Sequence, residues 1–263
     1  MHGAGPRRRR TPPRRAGRRA RTLVPTMTSA RVRIPDGWPA TEEQARAVQD
    51  ELRGRVVRDE PGPPPGRGHV TGVDVAYDDE RDLVAAAAVV LDAATLDVVA
   101  ETAAVGRVSF PYVPGLLAFR EIPAVLAALD ALPCGPGLVV CDGYGLAHPR
   151  RFGLASHLGV LTGLPTAGVA KNPFTFAHAE PGAPRGSSSP LLAGDEEVGR
   201  ALRTRDGVKP VFVSVGHRVT LDTACAHTLW LTPRFRLPET TRRADALCRR
   251  ALREAAASGD AGA

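Results

Sequence analysis

The chain of 263 residues is 43% hydrophobic and 24% charged, which is enough apolar content for the core of one large domain and too much for a disordered chain. Its longest apolar run, Leu83 to Leu91, falls far short of the roughly 18–20 residues that cross a bilayer, so a helical membrane span is excluded and no membrane partner is expected. The net charge of +7 belongs to one end: residues 1–34 hold 11 arginines and no acid, which leaves −4 for the remaining 229 residues.

Residues 1–35 are too rich in Arg, Pro and Gly to pack, and they lack the apolar core of a secretory signal. They are expected to be a disordered, dispensable extension with the true start at Met27, in preference to a nucleic-acid-binding arm or a targeting peptide. Residues 40–58 show helical spacing with Thr41 as N-cap, and Pro61 to Gly68 must be a loop. His69–Tyr77, Asp82–Leu91 and Leu96–Gly106 then alternate as consecutive antiparallel strands. Pro114 to Leu132 is helical, with a break or restart at Pro123. Residues 137–143 form a short buried strand, His148 to Leu161 a helix, and Thr166–Ala170 another strand. A Pro/Gly/Ser-rich loop from Asn172 to Gly194 follows, and then a strand at 211–215. Helices at Thr220–Trp230 and Glu239–Ala256 close the pattern, and residues 258–263 are expected to fray. Strands in meander followed by strand–helix alternation predict an α/β fold, one domain over residues 36–257 with a mixed sheet and helices on its faces. Monomer is the default. Cys134, Cys141, Cys225 and Cys248 form no CxxC pair and have no histidine at zinc spacing, which points to reduced thiols in the cytoplasm.

Three acids stand out. Asp74 sits in an alternating apolar strand, Asp142 ends the strand at 137–143, and Glu121 lies on the helix between them. An isolated carboxylate in such a place costs several kcal/mol (roughly 2–7) unless it is paired or binds a cation. Converging carboxylates would repel one another, which makes a divalent metal the natural counter-charge. The competing reading makes Asp142 a turn former before Gly143 and Asp74 a lone edge residue. Oxygen-only ligands favour Mg²⁺, with Mn²⁺ as substitute, over zinc, and an open coordination shell suits phosphodiester hydrolysis.

Five blocks occur in order and spacing: GVDVAYDD (72–79), VSFPYVPGLLAFREIPA (108–124), VVCDGYGLAHPRRFGLASHLG (139–159), PTAGVAKN (165–172) and VSVGHRVTLDTA (213–224). Together they resemble endonuclease V, the nuclease that recognises deaminated adenine (inosine) in nucleic acid, over about residues 40–245. The resemblance implies an RNase H-like fold. It also implies a DNA repair enzyme that cuts one strand at the second phosphodiester bond 3′ of deoxyinosine, leaving 3′-hydroxyl and 5′-phosphate ends. Inosine-containing DNA is the implied partner, with RNA left open beside it. Asp74 and Asp142 match the acids that hold Mg²⁺, and Glu121 matches the third. His217 matches a histidine near the metal, with Asp222 a weaker candidate, and Lys171, one of two lysines, matches a cation for the scissile phosphate. The turn of Pro111, Tyr112 and Pro114 matches a strand-separating wedge. Gly143, Tyr144, Gly145, Leu146 and His148 match the region of the flipped-base pocket, and Arg150 and Arg151, expected at a helix start, could pair with phosphates. Tyr144 departs from the family pattern, which usually reads Asp-Gly-His-Gly. Two rivals are a nucleotide-excision type of RNase H-like nuclease and a non-catalytic nucleic-acid-binding protein using the arginine-rich arm.

Overall fold

Thr41 opens the first helix, α1 (Glu42–Leu52), through a capping box: its hydroxyl accepts the Gln44 N–H (3.3 Å) while the Gln44 side chain accepts the Thr41 N–H (3.3 Å). The helix is shorter than expected. A 3-10 turn at Arg53–Arg55 follows, and the chain then extends so that Val57 bonds across to β8 (Val211–His217): its N–H donates to His217 Nδ1 (3.1 Å) and its carbonyl accepts from Arg218 N (2.6 Å). The computed structural model describes residues 1–2 and 37–260, so the expectations for the arginine-rich extension and for the last three residues lie outside the described residues.

The meander is as expected, with β1 (His69–Asp78), β2 (Leu83–Asp92) and β3 (Val98–Arg107) pairing antiparallel. Helix α2 (Leu117–Asp130) follows, then β4 (Leu138–Cys141), α3 (Leu154–Thr162), β5 (Thr166–Ala170), β6 (Ser188–Ala193) and β7 (Glu196–Leu202). After β8 come α4 (Leu221–Trp230) and α5 (Glu239–Asp260). One eight-stranded mixed sheet runs β3-β2-β1-β4-β5-β8-β7-β6, with β1, β4 and β5 parallel. The side chains of Val70, Val89, Leu138 and Val213 meet α4 and α5 on one face, and those of Val73, Ala88 and Val139 meet α2 and α3 on the other.

Other elements differ from expectation as well. The loop at 172–194 yields strand β6, which forms an antiparallel hairpin with the unexpected β7. Pro190 and the serines disguised an edge strand, where a missing N–H is tolerated. Helix α3 starts only at Leu154, because residues 148–151 form a turn with Arg151 at φ 57°. Helix α5 continues to Asp260, past the expected Ala256. Finally, α2 runs unbroken through Pro123. Proline leaves the Phe119 carbonyl without its helical donor, and the Trp38 indole N–H supplies the bond instead (3.0 Å). Trp38→Phe is expected to cost about 1–3 kcal/mol by stranding that carbonyl, read as a shifted denaturation midpoint; an unshifted midpoint would show that water replaces the indole.

Beside Trp38, the fully buried His157 on α3 packs among Phe119 (ring centroids 4.9 Å), Phe152 (5.0 Å) and Trp38 (5.6 Å), and neither ring nitrogen has a hydrogen-bond partner. Burial pushes its pKa down to about 3. The unfolded chain, with an ordinary histidine near 6.5, therefore binds a proton that the native state refuses, and stability falls as pH drops through 6.5 toward 3. Between pH 7 and 5 this amounts to about 2 kcal/mol. His157→Leu is expected to remove that much acid sensitivity, measured by urea unfolding at both pH values; an identical pH dependence would mean the imidazole is not held neutral.

Candidate active site

The register of β1 and β4 sets two acids side by side. Val73 and Cys141 are the last matched pair of these parallel strands. Asp74 and Asp142 are the next residues, and alternation turns both to the face of Val70 and Leu138. Neighbouring strands lie about 5 Å apart. Two carboxylates thus stand level at the carboxyl end of β4, where open α/β sheets gather ligands.

Burial, and then the charge of Asp142, push the Asp74 pKa up to about 7, against the opposing pull of the Val75 N–H on its Oδ1 (2.8 Å). Glu121 reaches the site from α2, on the opposite face of the sheet. Burial and the Asp74 charge raise it to about 8, while the Tyr77 hydroxyl donates to its Oε1 (3.2 Å). The Arg120 guanidinium lies over the Tyr77 ring, 4.3 Å from its centre, and completes this support. Lys171, the residue after β5, forms an ion pair with Asp142; burial works against its ammonium, but that bond and charge outweigh it and hold its pKa above the ordinary lysine value.

Sequence reasoning missed a fourth acid. Asp245 on α5 also raises Asp74 and steadies Lys171. Its signal was an acid beside the buried stripe of Ala244, Leu247 and Cys248 on a helix otherwise given no role. The site thus combines oxygen donors, more negative charge than one ammonium balances, and carboxyl groups that hold protons unusually well. That chemistry fits a hard divalent cation. Among the described residues no three His, Cys, Asp or Glu side chains are already gathered as a finished ligand cage. Asp74 and Asp142 form the nucleus, with Glu121 behind them.

A cavity of about 360 Å³ opens beside Asp142 and Lys171, walled by Gly143, Tyr144, His148, Phe152, Leu154 and Phe174, with the turn of Tyr112 to Gly115 at its rim. Tyr112 is 68% exposed, the posture of an aromatic free to meet a ligand, and Pro114 lines the cavity whereas Pro111 does not. His148 accepts the Arg150 N–H at Nδ1 (3.2 Å) and bonds the backbone of Gly115; burial pushes its pKa down to about 4, so its ring is neutral. A second missed residue is Gln49 of α1. It is buried, and its amide donates to the carbonyls of Gly115 (3.0 Å) and Phe152 (3.3 Å), tying the rim turn to the cavity wall.

Other expected site residues lie elsewhere. His217 pairs with Thr166 at the start of β5, whereas Asp142 and Lys171 follow the ends of β4 and β5. It braces Val57 instead of approaching the acids. Asp222 is exposed and paired with Arg200 (2.6 Å). Gly145 and Leu146 pack against β8: a Cβ on Gly145 would fall 1.9 Å from the Val215 carbonyl oxygen, and Leu146 is in the core. Arg150 and Arg151 sit in the turn before α3, not at a helix start, and are engaged with Asp50 and Glu196. All four cysteines are free. A larger cavity of about 860 Å³, between the β2–β3 turn and the α4–α5 connection, contains none of the acids of the cluster.

A sheet of this order, with helices on both faces, is that of the RNase H-like class. The family model for endonuclease V matches residues 50–246, and the chain belongs to the endonuclease V family. It is 84% identical over 230 residues to an endonuclease V of Streptomyces coelicolor, covering 88% of this chain and 99% of that one. The crystal structure of the endonuclease V from Streptomyces avermitilis superposes with a TM-score of 0.83 at 84% identity, over 86% of this chain and 99% of the other. A Ciona intestinalis endonuclease V, solved in complex with a 24mer DNA containing an inosine followed by a ribo-adenosine, matches with a TM-score of 0.70 at 28% identity, over 81% and 98% of the two chains.

Proposed function

We propose that this protein is a Mg²⁺-dependent DNA repair endonuclease that cuts one strand of inosine-containing DNA. The cut falls at the second phosphodiester bond 3′ of deoxyinosine and leaves 3′-hydroxyl and 5′-phosphate ends; the free thiols suit a cytoplasmic site of action. The observation that carries this reading is the level pair Asp74 and Asp142 beside a cavity roomy enough for a base. The inosine-containing DNA held by the Ciona relative supports it.

Asp74 and Asp142 would hold the cation, with Glu121 assisting from behind. When bound, Mg²⁺ neutralises charge on the reacting phosphate and favours attack by water. The Lys171 ammonium, paired with Asp142 and only partly buried, would donate to a phosphate oxygen of the bound strand. Tyr112, exposed between two prolines, would push between bases and fill the gap left by a flipped nucleotide. Labelled DNA and RNA strands with a single inosine or adenosine, incubated with Mg²⁺ or with a chelator, test the reading. Cutting of the inosine DNA strand and of neither adenosine strand, at the stated bond and only with the ion, is expected, and the inosine RNA strand reports whether RNA is also a substrate. Equal cutting of the adenosine strand, or cutting in the chelator, would refute it.

A further inference from the structure

We propose that Tyr144 is a positioning residue for this reaction: it clamps the segment Asn172–Phe174 as the far wall of the cavity and so sets how selectively the altered base is held. The inference rests on the reading of the cavity as a base pocket.

The clamp follows from the sheet. Strands β4 and β5 are parallel neighbours, with Cys141 level with Gly168. Both strands run to the same edge of the sheet, and the stretches that follow them, 142–144 and 171–174, leave it there. Two rungs join these stretches. One is the ion pair of Asp142 with Lys171. The other is the Tyr144 hydroxyl, which donates to the Asn172 carbonyl (2.8 Å). One turn further on, the Phe174 ring meets the Tyr144 ring edge-on, with centroids 5.2 Å apart at 85°, and leans on His148 at 5.6 Å.

Beyond Phe174, Phe176 packs against the cluster of Ala147, Ala170 and Phe212 and lies under the Arg151 guanidinium (5.3 Å), but the backbone of the stretch is little tied. Among the described residues no backbone–backbone hydrogen bond outside the helices and strands involves residues 172–176, and the next tie is the isolated bridge of Ala177 to Leu192. The Lys171 carbonyl just ahead of it is held by Arg236. Phe174 is thus anchored at its base by the sheet and Arg236, and along its length by Tyr144. An imidazole, the residue usual at this position in the resembled pattern, is shorter than a phenol and would not span to the Asn172 carbonyl. Loss of the hydroxyl alone should loosen the wall, and loss of the ring should let it move away from the base.

Steady-state cleavage by the wild type, Tyr144→Phe and Tyr144→Ala tests the clamp on strands carrying deoxyinosine or deoxyxanthosine, which has an additional exocyclic oxygen. Tyr144→Phe is expected to raise KM for the inosine strand about three- to tenfold with a smaller change in kcat, the range for one lost neutral hydrogen bond. Tyr144→Ala is expected to lower the preference for inosine over xanthosine about fivefold or more. Wild-type KM and preference in both variants would overturn the proposal. So would an equal fall of kcat on both strands in step with a lower melting temperature, which is the mark of a merely structural role. If Tyr144→Ala does not fold, the KM of Tyr144→Phe decides. A wild type that fails to cut the inosine strand refutes the base-pocket reading itself, whereas a wild type that cuts with indifferent variants refutes only the clamp.

Discussion

Replacing Asp74 with asparagine is expected to lower cleavage about a thousandfold or more while making the metal-free protein more stable. The loss follows from removing one of two carboxylates that would grip the cation, and electrostatic stabilisation by such an ion is worth several kcal/mol, about 4 for a thousandfold. The gain follows from the folded-state pKa of about 7 against an ordinary 3.8. A carboxyl whose pKa is raised by folding binds its proton more tightly in the native state. It therefore costs nothing well below pH 4, and its penalty grows as pH rises toward 7 and is complete above. The full shift corresponds to about 4 kcal/mol; partial solvent access reduces the expected gain to about 1–3 kcal/mol at pH 7.5. Asparagine keeps the oxygen that accepts the Val75 N–H, so that local bond survives. Denaturant unfolding in a chelator reads the gain. Adding Mg²⁺ should stabilise the wild type and not the variant. A variant that is no more stable than the wild type would mean that neither burial nor like charge burdens the Asp74 carboxylate.

Gly145→Ala is expected to cost about 3 kcal/mol or more and to disorder the Asp142–Tyr144 stretch with it. A Cβ there would sit 1.9 Å from the Val215 carbonyl oxygen and 2.6 Å from its carbon, both backbone atoms of a central strand. The turn cannot slide away, because the Gly145 N–H donates to Ser214 Oγ (2.9 Å) and its carbonyl accepts from Gly153 N (3.0 Å). Overpacking against immovable neighbours is among the most destabilising single changes. Gly106→Ala on β3, where a Cβ meets nothing within 4 Å, supplies the control and should change stability by less than about 1 kcal/mol. Midpoints from urea unfolding at constant slope compare them. Equal midpoints would show that β8 yields and that the glycine is not required by packing.

Local pattern carried much of this into view. The alternation around Asp74 and the short apolar run before Asp142 announce strands, but their parallel register appears only in the folded sheet. Tyr112 between prolines reads as an exposed turn for the same local reason. What stayed hidden depends on partners far away in the chain. Pro123 looks like a helix breaker until Trp38, 81 residues from Phe119, supplies the missing donor. Asp245 and Gln49 sit in ordinary amphipathic helices, and only docking reveals that one adds charge to the acid cluster and the other spans two loops. His217 misled in the opposite direction: its block is recognisable, but the antiparallel pairing of β8 with β5 carries it to the far end of the strand.

The most direct test of the account is ion binding itself. Mn²⁺ titrated into the protein and followed by electron paramagnetic resonance should show a site in the wild type that is weakened at least about tenfold in Asp74→Asn and in Asp142→Asn, while the folded structure of each variant is retained. Undiminished Mn²⁺ affinity in both variants would contradict the claim that these two carboxylates share the ion.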